Sequence, residues 1–264
     1  MKKLFLMLMA AVIILPVLAQ NKPNSNKRNK KDERKERINA VIKQEEEGVI
    51  TYKKHFAAGF KLSNDGYGGF LEIGRVQSLK KALLFQLEID ERKHAKDEKT
   101  INPYTGVQIS YGKINFFYPV KLGVQQQFLL GNKGNKNGVS VTGNIGGGVI
   151  AGLLRPYLIR VDKGGGKEDY VGYQSADSIY FLNSADHIAG PGIGTGWNKL
   201  KVTPGLYVKP SLRFDYGKYN EMINALEVGL TAEFYSKKIP QVIYTKQQQF
   251  FFTAYVAIIF GRRK

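Results

Sequence analysis

From about Tyr52 onward the chain alternates apolar and polar residues almost one by one. Leu226, Val228, Leu230, Ala232 and Phe234 interleave with Glu227, Gly229, Thr231, Glu233 and Tyr235. A second run sets Leu200, Val202, Pro204, Leu206, Val208, Pro210, Leu212 and Phe214 against Lys201, Thr203, Gly205, Tyr207, Lys209, Ser211, Arg213 and Asp215. A period of two puts the two sets on opposite faces of a β-strand. In a soluble sandwich or ligand-binding barrel the apolar face is the inner one. In a barrel bathed in hydrocarbon the assignment inverts.

The same alternation marks eight strands, at 54–62, 66–76, 82–92, 114–129, 138–160, 200–215, 224–236 and 248–260. The second, fourth and sixth connections are short and turn-like: 77–81, 131–137 and about 216–223. The third, fifth and seventh are longer, and the fifth runs from Val161 to Lys199. Short turns at one end and longer loops at the other are what an up-and-down membrane barrel produces. Only the first connection, near Ser63-Asn64-Asp65, breaks the trend by being short. The expected fold is therefore all-β: an eight-stranded antiparallel up-and-down transmembrane barrel over 52–264. Pro204 and Pro210 share one face of one strand, and a bulge or irregular pairing is expected there, because proline removes a ladder hydrogen bond.

The N-terminal residues bear on the compartment. Lys2 and Lys3 precede an apolar stretch from Leu4 to Leu18, and Val17-Leu18-Ala19 supplies small residues for cleavage. Residues 1–19 read as a secretory signal peptide with Gln20 as the mature N-terminus; the alternative is an uncleaved anchor, for which the run is short. Residues 20–51 form a basic tail or linker, partly helical, expected in the periplasm as a plain linker or in contact with anionic head groups or cell-wall polymer. The sequence contains no cysteine, which excludes disulfides, thiolate metal sites and a lipid-anchored cysteine. A formal net charge of +18 raises the question of nucleic acid. Export and the lack of any helix-turn-helix, zinc-finger or RNP pattern argue against that partner.

The strand from Phe250 to Phe260 carries Phe250, Phe252, Ala254, Val256, Ile258 and Phe260 on one face. It resembles the terminal strand of bacterial outer-membrane barrels, although Gly261-Arg262-Arg263-Lys264 follows the aromatic. With the signal-like N-terminus and the strand pattern, the chain as a whole resembles small outer-membrane barrels of the OmpX-like or PorT-like kind. That resemblance implies a Gram-negative outer-membrane location and a role in adhesion, envelope integrity or secretion.

If the polar face is the lumen, its charged members are Lys61, Glu72, Glu88, Lys121, Lys209, Arg213, Glu227 and Glu233. An eight-stranded barrel is just wide enough for side chains to fill it, so these charges are expected to pair as structural packing and to leave no open pore. Aromatics are expected in two girdles at the membrane interfaces. Phe56, Phe128, Phe214 and Phe260 would mark the inner ends of strands, and Tyr118, Tyr157, Trp197, Phe234 and Phe250 the outer ends.

Signals for catalysis are thin. The histidines are His55, His94 and His187. His187 with Ser184 and Asp186 is the one local cluster of nucleophile and base types, and ordinary loop polarity accounts for it better than a catalytic set. His94 with Asp90, Asp97 and Glu98 lacks a recognisable cation-ligand spacing. Gly190-Pro191-Gly192-Ile193-Gly194-Thr195-Gly196 lacks the strand and helix a dinucleotide loop requires. No catalytic, metal or cofactor site is expected. The long segment 162–199, with Tyr170, Tyr173, Tyr180 and Phe181 among Gly, Ser and Asp, suits contact with an envelope protein or glycan, disorder, or lid-like packing. The expected function is a non-enzymatic barrel in contact with membrane lipid, presenting loops to a partner. The alternatives are a lipid-modifying barrel enzyme of the outer leaflet or a narrow channel.

Overall fold

A computed structural model describes residues 35–36, 53–78, 80–133, 138–217, 221–243 and 245–264. The expected signal peptide, and the basic tail apart from Lys35 and Glu36, lie outside the described residues. Thirteen strands are present among the described residues. They are β1 (Lys54–Ser63), β2 (Gly66–Ser78), β3 (Lys81–Arg92), β4 (Lys99–Ile101), β5 (Gln108–Ser110), β6 (Asn115–Gly131), β7 (Ser140–Pro156), β8 (Leu158–Asp162), β9 (Glu168–Gly172), β10 (His187–Ala189), β11 (Lys201–Asp215), β12 (Met222–Ile239) and β13 (Gln248–Arg263). A short helix, α1, spans Ser178–Leu182.

Eight of these strands close into one antiparallel barrel in the order β1-β13-β12-β11-β7-β6-β3-β2. Each barrel strand neighbours the barrel strands before and after it in the chain, so the barrel is an up-and-down meander. β1 and β13 seal it from His55↔Arg263 to Ser63↔Tyr255. Gly261, Arg262 and Arg263 extend β13 beyond Phe260, and the Lys53 and Lys54 amides donate to the Lys264 carbonyl, so these residues belong to the closing seam.

The polarity of the wall is inverted relative to a soluble barrel. On β12, Glu227 and Glu233 are wholly buried while Leu226, Val228, Leu230 and Phe234 are exposed. Phe60, Ile73, Ile89, Leu122, Val149, Leu206 and Ile258 continue the outward apolar face around the cylinder. Because side chains alternate, one register fixes both sets, and a slip of one residue would push every charge outward.

Inside, several rings lie over glycines directly opposite in register: Phe70 over Gly59, and Tyr255 over Gly229. A Cβ on Gly59 would stand 2.4 Å from the Phe70 ring, so the lumen accepts that ring because glycine faces it. Gly146-Gly147-Gly148 lies within β7, where a Cβ on Gly148 would meet the Leu122 carbonyl at 2.2 Å. This is the close wall that its small residues suggest.

Of the bulge or irregular pairing expected at the prolines, the irregular pairing is present as a gap in one ladder, without a bulge. β11 keeps one unbroken register with β7 from Lys201↔Leu154 to Asp215↔Ser140. Its ladder with β12 begins at Gly205 and omits Lys209 and Pro210 without changing register. Pro204 and Pro210 are six residues apart, so their missing N–H groups point toward the same neighbour, and the ladder loses bonds on that side alone.

The strand expected over 138–160 is also divided. β7 ends at Pro156, and β8 leaves the barrel to form a three-stranded sheet in the order β10-β8-β9. Together with the β4–β5 hairpin and α1, this sheet forms an ordered cap at the loop end of the barrel, so the long connection is lid-like and folded.

Candidate functional site

The lumen holds a continuous ionic lattice built from β1, β2, β3, β6, β11 and β12. Glu88 is its hub. It accepts from Lys121 Nζ at 2.7 Å, from Lys209 Nζ at 2.8 Å and from Lys61 Nζ. Lys121 lies directly across the β3–β6 ladder from Glu88 and donates as well to Asp90 at 2.6 Å and Glu233 at 2.8 Å. Lys61 reaches the same Asp90 oxygen at 2.7 Å. Toward the turn end, Arg213 grips Glu72 through both terminal nitrogens at 2.8 and 2.7 Å. Its Nε donates to Glu227, its cross-strand neighbour, at 2.8 Å. His55 Nε2 sits 3.1 Å from Glu72, and Tyr255 donates to Glu227 at 2.7 Å. Toward the loop end, Arg92 binds Glu233 through two nitrogens at 2.8 and 3.0 Å and Asp65 through Nε at 2.7 Å.

All eight expected lumen charges face inward and are buried, and the lattice brings them together. Asp90 and Arg92 belong to it too, beyond the eight charges expected there. They continue the period of Glu88 at two and four residues, which is the signal that marks them. With them, five bases (Lys61, Arg92, Lys121, Lys209, Arg213) face five buried acids (Glu72, Glu88, Asp90, Glu227, Glu233). Such balance is what a dehydrated interior needs, because each charge left unpaired carries a penalty of several kcal/mol. Rings pack among these charges. Lys209 lies 4.7 Å from the Tyr255 centroid and 4.9 Å from that of Phe70. Phe117, Tyr235 and Phe251 pack edge to face beneath the loop end, with Arg92 over Phe251.

The cap joins three connections. Asn102 Nδ2 donates to the Ser184 carbonyl at 2.6 Å and to His187 Nδ1 at 3.1 Å, while its Oδ1 accepts from the Tyr104 amide. His187 Nε2 then donates to the Phe181 carbonyl at 2.9 Å. Both nitrogens of this buried ring are thereby engaged, and Ser184 Oγ pairs instead with Tyr111. Ile109, Tyr157, Ile159, Val161, Val171 and Phe181 form a small core between the two longer connections. The Ile243 amide donates to Gly112 at 2.7 Å and the Ile114 amide to Gln241 at 2.8 Å, which ties in the third connection.

Of the expected girdle, Phe56 and Phe260 stand exposed at the turn end, where Phe128 and Phe214 are half-buried. Phe234 and Phe250 are exposed and opposite one another at the loop end, and Tyr118 stacks on Trp197 at 5.7 Å. Tyr157 is a correction. It is buried in the cap core with its hydroxyl accepting from the Ser110 amide at 2.8 Å, because the chain turns inward where β7 gives way to β8.

The group around His94 does not assemble. Asp90 points into the lumen, Asp97 is held by Lys113, and no cluster of three metal-ligating side chains exists among the described residues. The glycine-rich stretch 190–196 is held by Arg155, whose Nη1 donates to the carbonyls of Gly192, Ile193 and Thr195 at 3.3, 2.9 and 3.3 Å. Arg155 is itself stacked against Phe116 at 4.1 Å and Trp197 at 5.1 Å.

No protein-family model and no curated protein sequence matches the chain. Among solved structures, it is similar to neisserial surface protein A at 9% identity and TM-score 0.38, covering 81% of this chain and 97% of that one. Ail, the attachment invasion locus protein of Yersinia pestis, gives 11% identity and TM-score 0.38, covering 81% and 100%. A major outer membrane protein from Thermus thermophilus gives 11% identity and TM-score 0.36, covering 80% and 100%. At this level of likeness the chain's own geometry has to carry the functional reading.

Proposed function

We propose that this protein is an integral outer-membrane β-barrel of the OmpX-like or PorT-like kind. It is non-enzymatic, has a filled lumen, and presents its folded cap to an envelope protein or glycan. The supporting observation is the inverted wall, with an outward face made mostly of Leu, Val, Ile and Phe around a lattice of ten paired charges. Water solvates such an exterior poorly, whereas acyl chains accept it, and a closed barrel pairs its backbone groups from strand to strand apart from the bonds lost at the wall prolines. The end bearing the short turns would face the periplasm and the cap the outside, after export directed by residues 1–19.

The cap offers Ile101, Tyr104, Tyr170 and Ile179 as exposed apolar side chains on a folded support. Rigid aromatic anchors of this kind suit recognition. The occupied ring of His187 supports a binding role over lipid hydrolysis, since neither nitrogen is available as a base.

Membrane fractionation combined with gel mobility before and after boiling tests the proposal. The mature chain, beginning at Gln20, should sediment with outer membranes and migrate faster unboiled. Material that remains monomeric and dissolved without detergent would overturn the reading. Deleting 162–199 should spare insertion while abolishing retention of the partner on cells.

A further inference from the structure

Where the outward apolar face ends at the turn end of the barrel, four adjacent strands each place a basic side chain one outward position farther on. β13 runs from Phe260 to Arg262, β1 from Phe56 to Lys54, β2 from Ile73 to Arg75 and β3 from Leu83 to Lys81. These strands are contiguous in the barrel. Lys54 and Arg75 are directly opposed in register, and Arg262 lies opposite Phe56. All four basic residues are exposed, and none forms an ion pair with a described residue. Lys81 Nζ lies over the ring of Phe128, its register partner, 5.6 Å from the centroid, so this charge is held at the aromatic edge of the wall.

The opposite half of the same rim is different. There, among the described residues, the last apolar outward side chains on β6, before β7, after β11 and on β12 are Leu130, Val139, Tyr216 and Met222, all exposed, and exposed Asn132 follows Leu130. Among the described residues, an exposed basic side chain one outward position beyond the apolar face stands on β13, β1, β2 and β3.

We propose that this arc binds the head groups of anionic phospholipid in the inner leaflet. The proposal rests on the membrane-barrel reading above. Two residues along a strand span roughly 7 Å, which sets each charge just beyond the hydrocarbon, at the depth of the lipid phosphates. Arginine and lysine there can pair with phosphate while their methylene stems stay against acyl chains. Four such charges side by side would retain phosphatidylglycerol against zwitterionic lipid and would give the barrel a lipid-selective flank.

The test places the full chain in phosphatidylcholine vesicles and measures the motionally restricted fraction of spin-labelled phosphatidylglycerol and of spin-labelled phosphatidylcholine. The wild type should prefer the anionic probe by roughly five- to tenfold, with the preference shrinking as salt is raised. A variant combining Lys54→Gln, Arg75→Gln, Lys81→Gln and Arg262→Gln should lose most of that preference. A control carrying Lys237→Gln and Lys238→Gln, at the other rim, should keep it.

Equal selectivity in the wild type and the four-site variant would overturn the proposal. So would a loss caused equally by the Lys237 and Lys238 control. If neither probe is restricted and unboiled mobility shows no folded barrel, the membrane reading itself has failed. Restriction of both probes without preference defeats the lipid-binding arc alone.

Discussion

Replacing Glu88 by glutamine keeps the side-chain shape and removes the charge on which three lysines converge. At 2.8 Å and an effective dielectric near 20, each ammonium gains on the order of 6 kcal/mol of gross attraction from that carboxylate. Most of this is offset by the dehydration of both ions. The net loss on breaking a buried pair is about 3–5 kcal/mol, chiefly because the surviving charge stays buried. Glu88→Gln leaves Lys61 and Lys121 with Asp90, and Lys121 also with Glu233, so these two remain partly compensated. Lys209 fares worst, because its other carboxylate, Glu227, lies 3.9 Å away. A loss of about 4 kcal/mol at a urea dependence near 2 kcal/mol/M should lower the unfolding midpoint by about 2 M. The assay is urea titration in phosphatidylcholine vesicles, with the folded fraction read from unboiled gel mobility. Adding Lys209→Met restores neutrality and keeps an apolar contact with the rings of Tyr255 and Phe70, so at least half of the shift should return. A shift below about 0.5 M, or a double variant weaker than Glu88→Gln alone, would refute the account of the lattice as mutually compensated ions.

Three further outcomes are expected. Planar-bilayer recordings of the wild type should show no steady conductance, since the charges of the lumen are paired and rings pack among them; a large persistent current would refute the filled interior. Arg155→Ala should release the carbonyls of Gly192, Ile193 and Thr195 and speed chymotryptic cleavage after Trp197 by roughly tenfold, about 1.4 kcal/mol of local order, without altering unboiled mobility. The Lys163 ammonium donates to Asp169 and Asp177, and that hydrogen bond holds the Asp169 carboxyl below its usual range. A lowered carboxylate value means that the tie is intact at neutral pH and is lost as pH falls through that value. The protection factors of β9 amides, taken relative to intrinsic exchange at each pH, should therefore fall only on acidification, and a loss of protection confined to alkaline pH would contradict it.

The barrel was legible in the sequence because one physical rule, alternation at period two, repeats in every strand. Once the apolar face is assigned outward, the inward direction of Glu227, Lys209 and Arg213 follows. Which ions meet was not legible, since it depends on register: Glu88 reaches Lys121 through the pairing of β3 with β6 and reaches Lys61 and Lys209 across the lumen. The cap was hidden for a related reason. Its strands β4, β5 and β10 have three residues each, too few for periodicity, and its fastening pair, Asn102 and His187, is 85 residues apart in sequence. Tyr157 was misplaced because alternation extrapolated past Pro156 assumes that the strand stays in the wall.

The β1–β13 seam also constrains how the molecule can be made. His55 pairs with Arg263 across an interval of 208 residues (263 − 55), so ring closure waits on synthesis of nearly the whole chain. Until then Lys61 on β1 can find its acids on β3, but Arg92 still lacks Glu233, which arrives 141 residues later. The edge of β1 therefore stays without its β13 partner until the last strand is made.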